Sequence, residues 1–452
     1  MKLPPAAQAA GPHVAEAGRS RLRALAGRVR PPSPAVAAAL AWTVAIAVVA
    51  PLVIGYVTNA PDQRLVDLDV YRTGGVSVLH GQPLYFMQTQ PPQLLLFTYP
   101  PVAAIFAVPF ALLAWPVAQL AWVSFIYVPL AITVWFAFRP LRERAGQYGP
   151  VVAAVAFAVG AYLFPMRDQM RFGQVDILLV AMCVADCASR SPRWPRGALV
   201  GLATALKLVP GVFIIYLWLS GRRKAAATAA IAAVGWTAGA FLLLPRDSMY
   251  YWTRAIFDSG RLGSNTGTSN QSLRGLVLRF FLPSHAPALL WLAVAAVVAV
   301  YGFAAARRVA AGGHDMAGIA ITGLLAVLLS PVAWIHHLVC VVVALGAITG
   351  DGRDRKRVAA ALVTALFFTL TIPWWGVSLV AVKGVPKLAG RAVQGGFGLA
   401  AVALIGVIRW SVRRAGTGSR GGAGPAGRRA DDVVSEHQVT LPGNVADAGR
   451  KV

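Results

Sequence analysis

Residues 36–58 read VAAALAWTVAIAVVAPLVIGYVT, without one charged side chain. About 20 apolar residues cross the hydrocarbon core of a bilayer as a helix, and this run reaches that length. It reads as a retained signal-anchor, since a long basic stretch precedes it and no small-residue cleavage site follows. Further apolar runs are expected to span at about 100–115, 117–138, 150–165, 174–189, 197–219, 225–244, 286–306, 316–331, 334–349, 358–379 and 392–410. The 452-residue chain is 57% hydrophobic and 13% charged, where a soluble domain carries about 25% charged residues. Lipid offers the backbone no hydrogen-bond partner, so runs this apolar form helices; the short alternating segments of a β-barrel do not occur. The expected fold is an all-α polytopic membrane protein with about ten to twelve transmembrane helices.

The net charge of +25 comes from 42 Lys+Arg against 17 Asp+Glu. Its distribution points to the membrane and not to nucleic acid. RSRLRALAGRVR precedes the first span and RRAGTGSRGGAGPAGRR follows the last, so the positive-inside rule puts both ends in the cytoplasm beside anionic lipid. Residues 1–34 and 412–452 are expected to be disordered basic tails around a membrane region at 35–411. The short loops SGRRK and DGRDRKR also read as cytoplasmic. A count of twelve crossings puts RPLRER and SRSPRWPRG outside, against the same rule. The conflict weakens if residues 197–219, with Lys207 and Pro210, form a half-crossing hairpin.

Two long loops and the stretch SPVAWIHH fall on the opposite, extracytoplasmic side. The first loop, at about 59–98, holds VDLDVY at 66–71. Acids beside a membrane are costly, and this chain has few. A solvated loop or a helix cap is the bland reading of Asp67 and Asp69. The amphipathic stretch after them favours a short interfacial helix. On that helix Asp67 and Tyr71 share a face, while Asp69 points elsewhere. Desolvation raises a carboxyl pKa, which suits Asp67 to general-base work. DLD also has the form of a metal-nucleotide DxD motif, but no alternating strand-helix pattern surrounds it, so bound metal and nucleotide sugar are discounted.

His336 and His337 are core histidines in the bland reading. Next to Trp334 at a membrane mouth, one of them suits proton or hydrogen-bond donation to a phosphate. Neighbouring histidines diverge by about 100° on an α-helix, a poor two-ligand metal site. Lys207 stands alone in an apolar run and either snorkels or meets a phosphate. Arg171, Gln174, Asn270 and Gln271 are polar donors suited to phosphate or sugar. Cys183, Cys187 and Cys340 read as small core residues, and no metal or other cofactor is expected.

These stretches together resemble glycosyltransferase family 87 of the GT-C superfamily. The resemblance rests on DLDVY with GQPLY after it, then FTYPP, RFGQVD, GLATALKLVP, SNQSL and SPVAWIHH, in that order over about residues 36–410. It implies a GT-C fold with an extracytoplasmic active site in the plasma membrane. It implies a polyprenyl-phosphate-mannose donor, a glycolipid or lipoglycan acceptor, and transfer that forms an α-1,2 linkage with inversion. The family's catalytic acid falls on Asp67 and its histidine region on His336 and His337. Asp69, Tyr71, Tyr99, Arg171, Gln174, Lys207, Asn270 and Gln271 become candidate substrate contacts. A transferase using a polyprenyl-phosphate arabinose or glucose, and a lipid or sugar transporter, stay open as alternatives.

Overall fold

The computed structural model describes residues 32–60, 63–283, 285–384 and 386–420. The expected amino-terminal tail up to residue 31, Asp62, and the chain after residue 420 lie outside the described residues. Helix α1 (Pro34–Val57) is the quoted run, capped by Ser33 and opened by Pro34. Helix α2 (Val66–His80) carries VDLDVY; α3 (Pro101–Ala111), α4 (Trp115–Ala137) and α5 (Arg139–Ala145) follow. Helix α6 (Gly149–Tyr162) bends into α7 (Phe164–Phe172), and α8 (Asp176–Ala188) precedes the pair α9 (Ala198–Leu206) and α10 (Val212–Leu219). Then come α11 (Arg223–Leu243), α12 (Pro245–Thr253), α13 (Leu273–Leu278), α14 (Ala286–Ala311) and α15 (Asp315–Leu329). A 3-10 turn (Ile335–Cys340) leads into α16 (Val341–Thr349), and α17 (Arg355–Thr369), α18 (Ile372–Ala381), α19 (Lys387–Gln394) and α20 (Gly396–Arg420) complete the chain. No strand forms among the described residues, only isolated bridges at Gln88–Leu96 and Asn270–Trp334.

Helices α15 and α16 make the centre, with Ile321, Leu324, Leu328, Val341 and Ile348 fully buried. Around them α1, α11 and α14 turn Ile46, Leu242 and Val300 outward, 61–85% exposed. A face of this kind needs lipid as its solvent. Five helices are long and apolar enough to cross a membrane, or seven if the pairs α5–α6 with α7 and α17 with α18 each count once; these bend by 70° and 55°. Four further apolar helices are shorter. The expected spans are therefore often interrupted. Pro165 and Pro373 stand where the bent pairs resume, at positions where a proline costs no intrahelical bond.

The expected span at 174–189 is the 13-residue helix α8. That at 197–219 is two arms that meet near Lys207. Arm α9 is about 14 Å long, half the hydrocarbon thickness. Its base is built tightly. The Asp186 carboxylate, at the end of α8, accepts hydrogen bonds from Gly197 N at 2.9 Å and Val200 N at 2.9 Å. Gly197 has φ +105°, and a Cβ on Gly201 would stand 2.5 Å from the Ala229 carbonyl oxygen of α11. Small residues four apart thus bring α9 and α11 together, as in membrane helix pairs.

This hairpin removes the charge conflict. Arg144 donates to Asp351 O at 2.9 Å, Arg190 pairs with Glu143 at 2.9 Å, and Arg222 donates to Cys187 O at 3.2 Å. RPLRER, SRSPRWPRG, SGRRK and DGRDRKR therefore meet at one end of the molecule. Helix α20 also extends to Arg420, beyond residue 411, where the tail was expected to begin.

Candidate active site

At the other end, α2 begins at Leu65, whose backbone N–H donates to Arg171 O at 2.8 Å. This joins α2 to the turn between α7 and α8. Gly173 makes that turn with φ +69°, and a Cβ there would lie 3.1 Å from Leu65 Cα. Trp122 holds the turn by donating to Gly173 O at 2.7 Å. Gln174 is thereby presented to α2.

The Gln174 side chain organises the site. Its Nε2 donates to Asp67 Oδ2 at 2.6 Å. Its Oε1 accepts from the Tyr71 and Tyr99 hydroxyls, each at 3.1 Å. Asp67 and Tyr71 thus share a face, as their spacing predicted. Asp69 lies outside this network, where the Arg72 charge acts on it. Asp67 is only half-buried, yet desolvation pushes its carboxyl up to about 6 from 3.8, against the pull of His336, the Gln174 hydrogen bond and Lys207.

Lys207, at the hairpin tip, does not snorkel. Its Nζ lies 2.7 Å from Asp176 Oδ1 and 3.1 Å from His337 Nε2. The ammonium donates, so His337 Nε2 accepts. His336 Nδ1 lies 3.0 Å from Asp168 Oδ2, which makes that nitrogen the donor and leaves the buried Nε2 without a protein partner. The two imidazoles, on a 3-10 turn, come together with 4.9 Å between ring centres. Their ligand atoms and one Asp176 oxygen lie within 4.8 Å of one another. The sequence expectation of a poor metal pair rested on α-helical geometry. The structure gathers a donor set, but Lys207 already donates into it, and a second cation there meets that charge at close range. Below these polar groups, Leu179, Cys183, Phe213, Val327 and Cys340 line an apolar groove with Asp176 and His337 at its polar end.

Three candidates stand elsewhere. Arg171 turns to Gln63 and lies over the Phe172 ring. Asn270 and Gln271 are fully buried and their side chains are taken up by protein groups. Asn270 Oδ1 accepts from Ala333 N at 3.1 Å, and Gln271 N donates to Ala333 O at 2.7 Å. Gln271 Nε2 donates to Gln394 O at 3.0 Å. They fasten the strand-like entry to the histidine turn. Asp168 and Asp176 were missed. Asp176 was read only as the last residue of RFGQVD, and Asp168, flanked by Arg167 and Gln169, was not singled out.

The family model for Glycosyltransferase family 87 matches residues 97–331. This chain belongs to glycosyltransferase family 87. A polyprenol-phosphate-mannose-dependent α-(1-2)-phosphatidylinositol mannoside mannosyltransferase of Mycolicibacterium smegmatis is 34% identical over 342 residues, 70% of this chain and 76% of the relative. Its namesake in Mycobacterium tuberculosis is 32% identical, over 66% and 73% of the two chains. A phosphatidylinositol pentamannoside mannosyltransferase of Mycobacterium tuberculosis is 32% identical, over 69% and 73%. No solved structure matches. This family-87 protein is a multi-pass membrane glycosyltransferase. Gln174, Asp176, Lys207 and Asn270 fall inside the matched family region, and Asp67, His336 and His337 flank it.

Proposed function

We propose that the enzyme transfers mannose from a polyprenyl-phosphate-mannose to a phosphatidylinositol mannoside or a related envelope lipoglycan, forming an α-1,2 linkage with inversion. The observation that carries this reading is a half-buried carboxyl with raised pKa, Asp67, which feels the charges of Lys207 and His336, while Lys207 is held by Asp176 and His337 at the polar end of an apolar groove. The names of the relatives support the donor and the acceptor class. Asp67 takes the proton as the acceptor oxygen attacks C1. The C1–O bond to phosphate breaks, and its electron pair leaves with the lipid phosphate, which gains one negative charge. Lys207 and His336 stabilise that charge, while Asp176 and His337 hold the ammonium in place. A single displacement turns a β-linked donor into an α-linked product.

The positive-inside rule supports a cytoplasmic arginine end and hence an extracytoplasmic active site in the plasma membrane. The names of the relatives, all mannosyltransferases, favour transfer over the transporter reading. The test is transfer from labelled polyprenyl-phosphate-mannose by purified protein with phosphatidylinositol mannoside acceptors. Asp67→Asn should lose a factor of about 10²–10⁴ while remaining folded, and Asp69→Asn should stay near wild type. Full activity in Asp67→Asn overturns the mechanism. Transfer of arabinose or glucose but not mannose in a donor panel overturns the substrate.

A further inference from the structure

The arginine end holds a cavity of about 630 Å³, lined by Arg139, Arg190, Arg196, Arg222 and Arg357 from four separate segments. The positive-inside rule accounts for arginines on this side, but it predicts solvated loops and not convergence on a hollow. Four of these five guanidiniums are fixed by backbone carbonyls at two helix ends. Arg139 donates to Ala188 O at 3.0 Å, Arg196 to Ser189 O at 2.8 Å and Arg222 to Cys187 O at 3.2 Å, around the end of α8. Arg357 donates to Ile348 O at 2.9 Å and Ala347 O at 3.1 Å, at the end of α16.

Each guanidinium has five N–H groups, so one or two such bonds leave others for the cavity. Acids offset only part of the charge. Asp315 pairs with Arg222, and Glu143 pairs with Arg190. Asp186 spends both oxygens on backbone and Trp194 N–H groups. A second basic hollow of about 540 Å³ shares Arg196 and Arg222 and adds Arg223 and Lys224. Pre-organised guanidinium forks in a concave site match the oxygens of a phosphate.

We propose that this cavity is a second binding site, separate from the glycosyl-transfer site, for a phosphate-bearing anion of two or more charges. Helix α8 sets the separation. Asp176 opens it and the arginines clasp its other end, about 18 Å away along the axis. The anion is either a phospholipid headgroup of the adjoining leaflet or a soluble polyphosphate.

Equilibrium binding to the full-length protein in detergent tests the proposal, with inorganic pyrophosphate and short-chain phosphatidic acid as probes. Wild type should bind at least one. Arg139→Gln/Arg190→Gln should weaken that binding about tenfold or more. Arg190→Gln alone should give a smaller loss; its side chain is 74% exposed, so the fold does not depend on it. Arg353→Gln, at the same end but outside the cavity, should bind as wild type. So should Lys207→Met, which separates this site from the transfer site. Preference for pyrophosphate assigns a soluble ligand, and preference for phosphatidic acid assigns a headgroup. Binding of neither probe, unchanged binding in the double variant, or equal loss in Arg353→Gln or Lys207→Met overturns the proposal.

Discussion

Asp67 is held between two demands. A base must be accessible, and it must be dehydrated enough to want a proton. Partial exposure meets the first, and a carboxyl pushed up to about 6 meets the second. The sign follows directly. The unprotonated carboxylate is the active form, so kcat/KM should be flat above about pH 6 and fall about tenfold per pH unit below it. Folding has the opposite dependence. A carboxyl raised from 3.8 contributes stability below that value and loses it as pH rises through about 6. Gln174 should act through this group. Its hydrogen bond pulls the Asp67 pKa down, so Gln174→Ala should move the acid limb of the pH profile upward as well as lowering the rate. A lower rate with an unmoved limb would limit Gln174 to a packing role.

At the scale of elements, the hairpin α9–α10 positions the ammonium. Its base is fastened by Asp186 and by the glycine approach to α11, and its tip by Asp176. Gly201→Leu should force α9 off α11 and lower the thermal midpoint, read by a dye-free melting assay. A loss in the 1–3 kcal/mol range typical of overpacking is expected. Lys207→Met leaves the base intact and should fold, but transfer should fall by about 10²–10³, the usual cost of removing one group that stabilises developing charge. The hairpin was partly legible in the sequence. Lys207 and Pro210 in an apolar run argued against a plain span, and the basic loops argued that both arms end on one side. The partner of Lys207 was not legible. Asp176 lies 31 residues away on another helix, and only the antiparallel packing of α8 and α9 brings the two together.

For the whole molecule, the arginine end and the Asp67 end should face opposite sides of the membrane. The native cysteines are buried, which keeps the labelling background low. A cysteine at Ser191→Cys should react with an impermeant maleimide only after cells are opened, and one at Gln82→Cys should react in intact cells. The reverse pattern would invert the topology. Because Lys207 supplies the positive charge between Asp176 and the histidines, a chelator should leave transfer unchanged. Restoration of a chelated enzyme by a divalent ion would instead assign those residues to a metal.

Local chemistry alone determined much of this. Apolar length dictates helices in lipid, charge bias orients them, and a four-residue spacing puts Asp67 and Tyr71 on one face. The ordered motifs also marked where the site would be. Only the tertiary structure decided which of those residues meet. It joined Asp67 to Gln174, Lys207 to Asp176, and His336 to Asp168, and it gave Asn270, Gln271 and Arg171 partners of their own. It also drew four basic loops around one cavity. The reason is range. Helix formation and membrane insertion depend on neighbouring residues, whereas a buried polar group is satisfied by whatever distant segment packing brings beside it, and a linear pattern does not encode that choice.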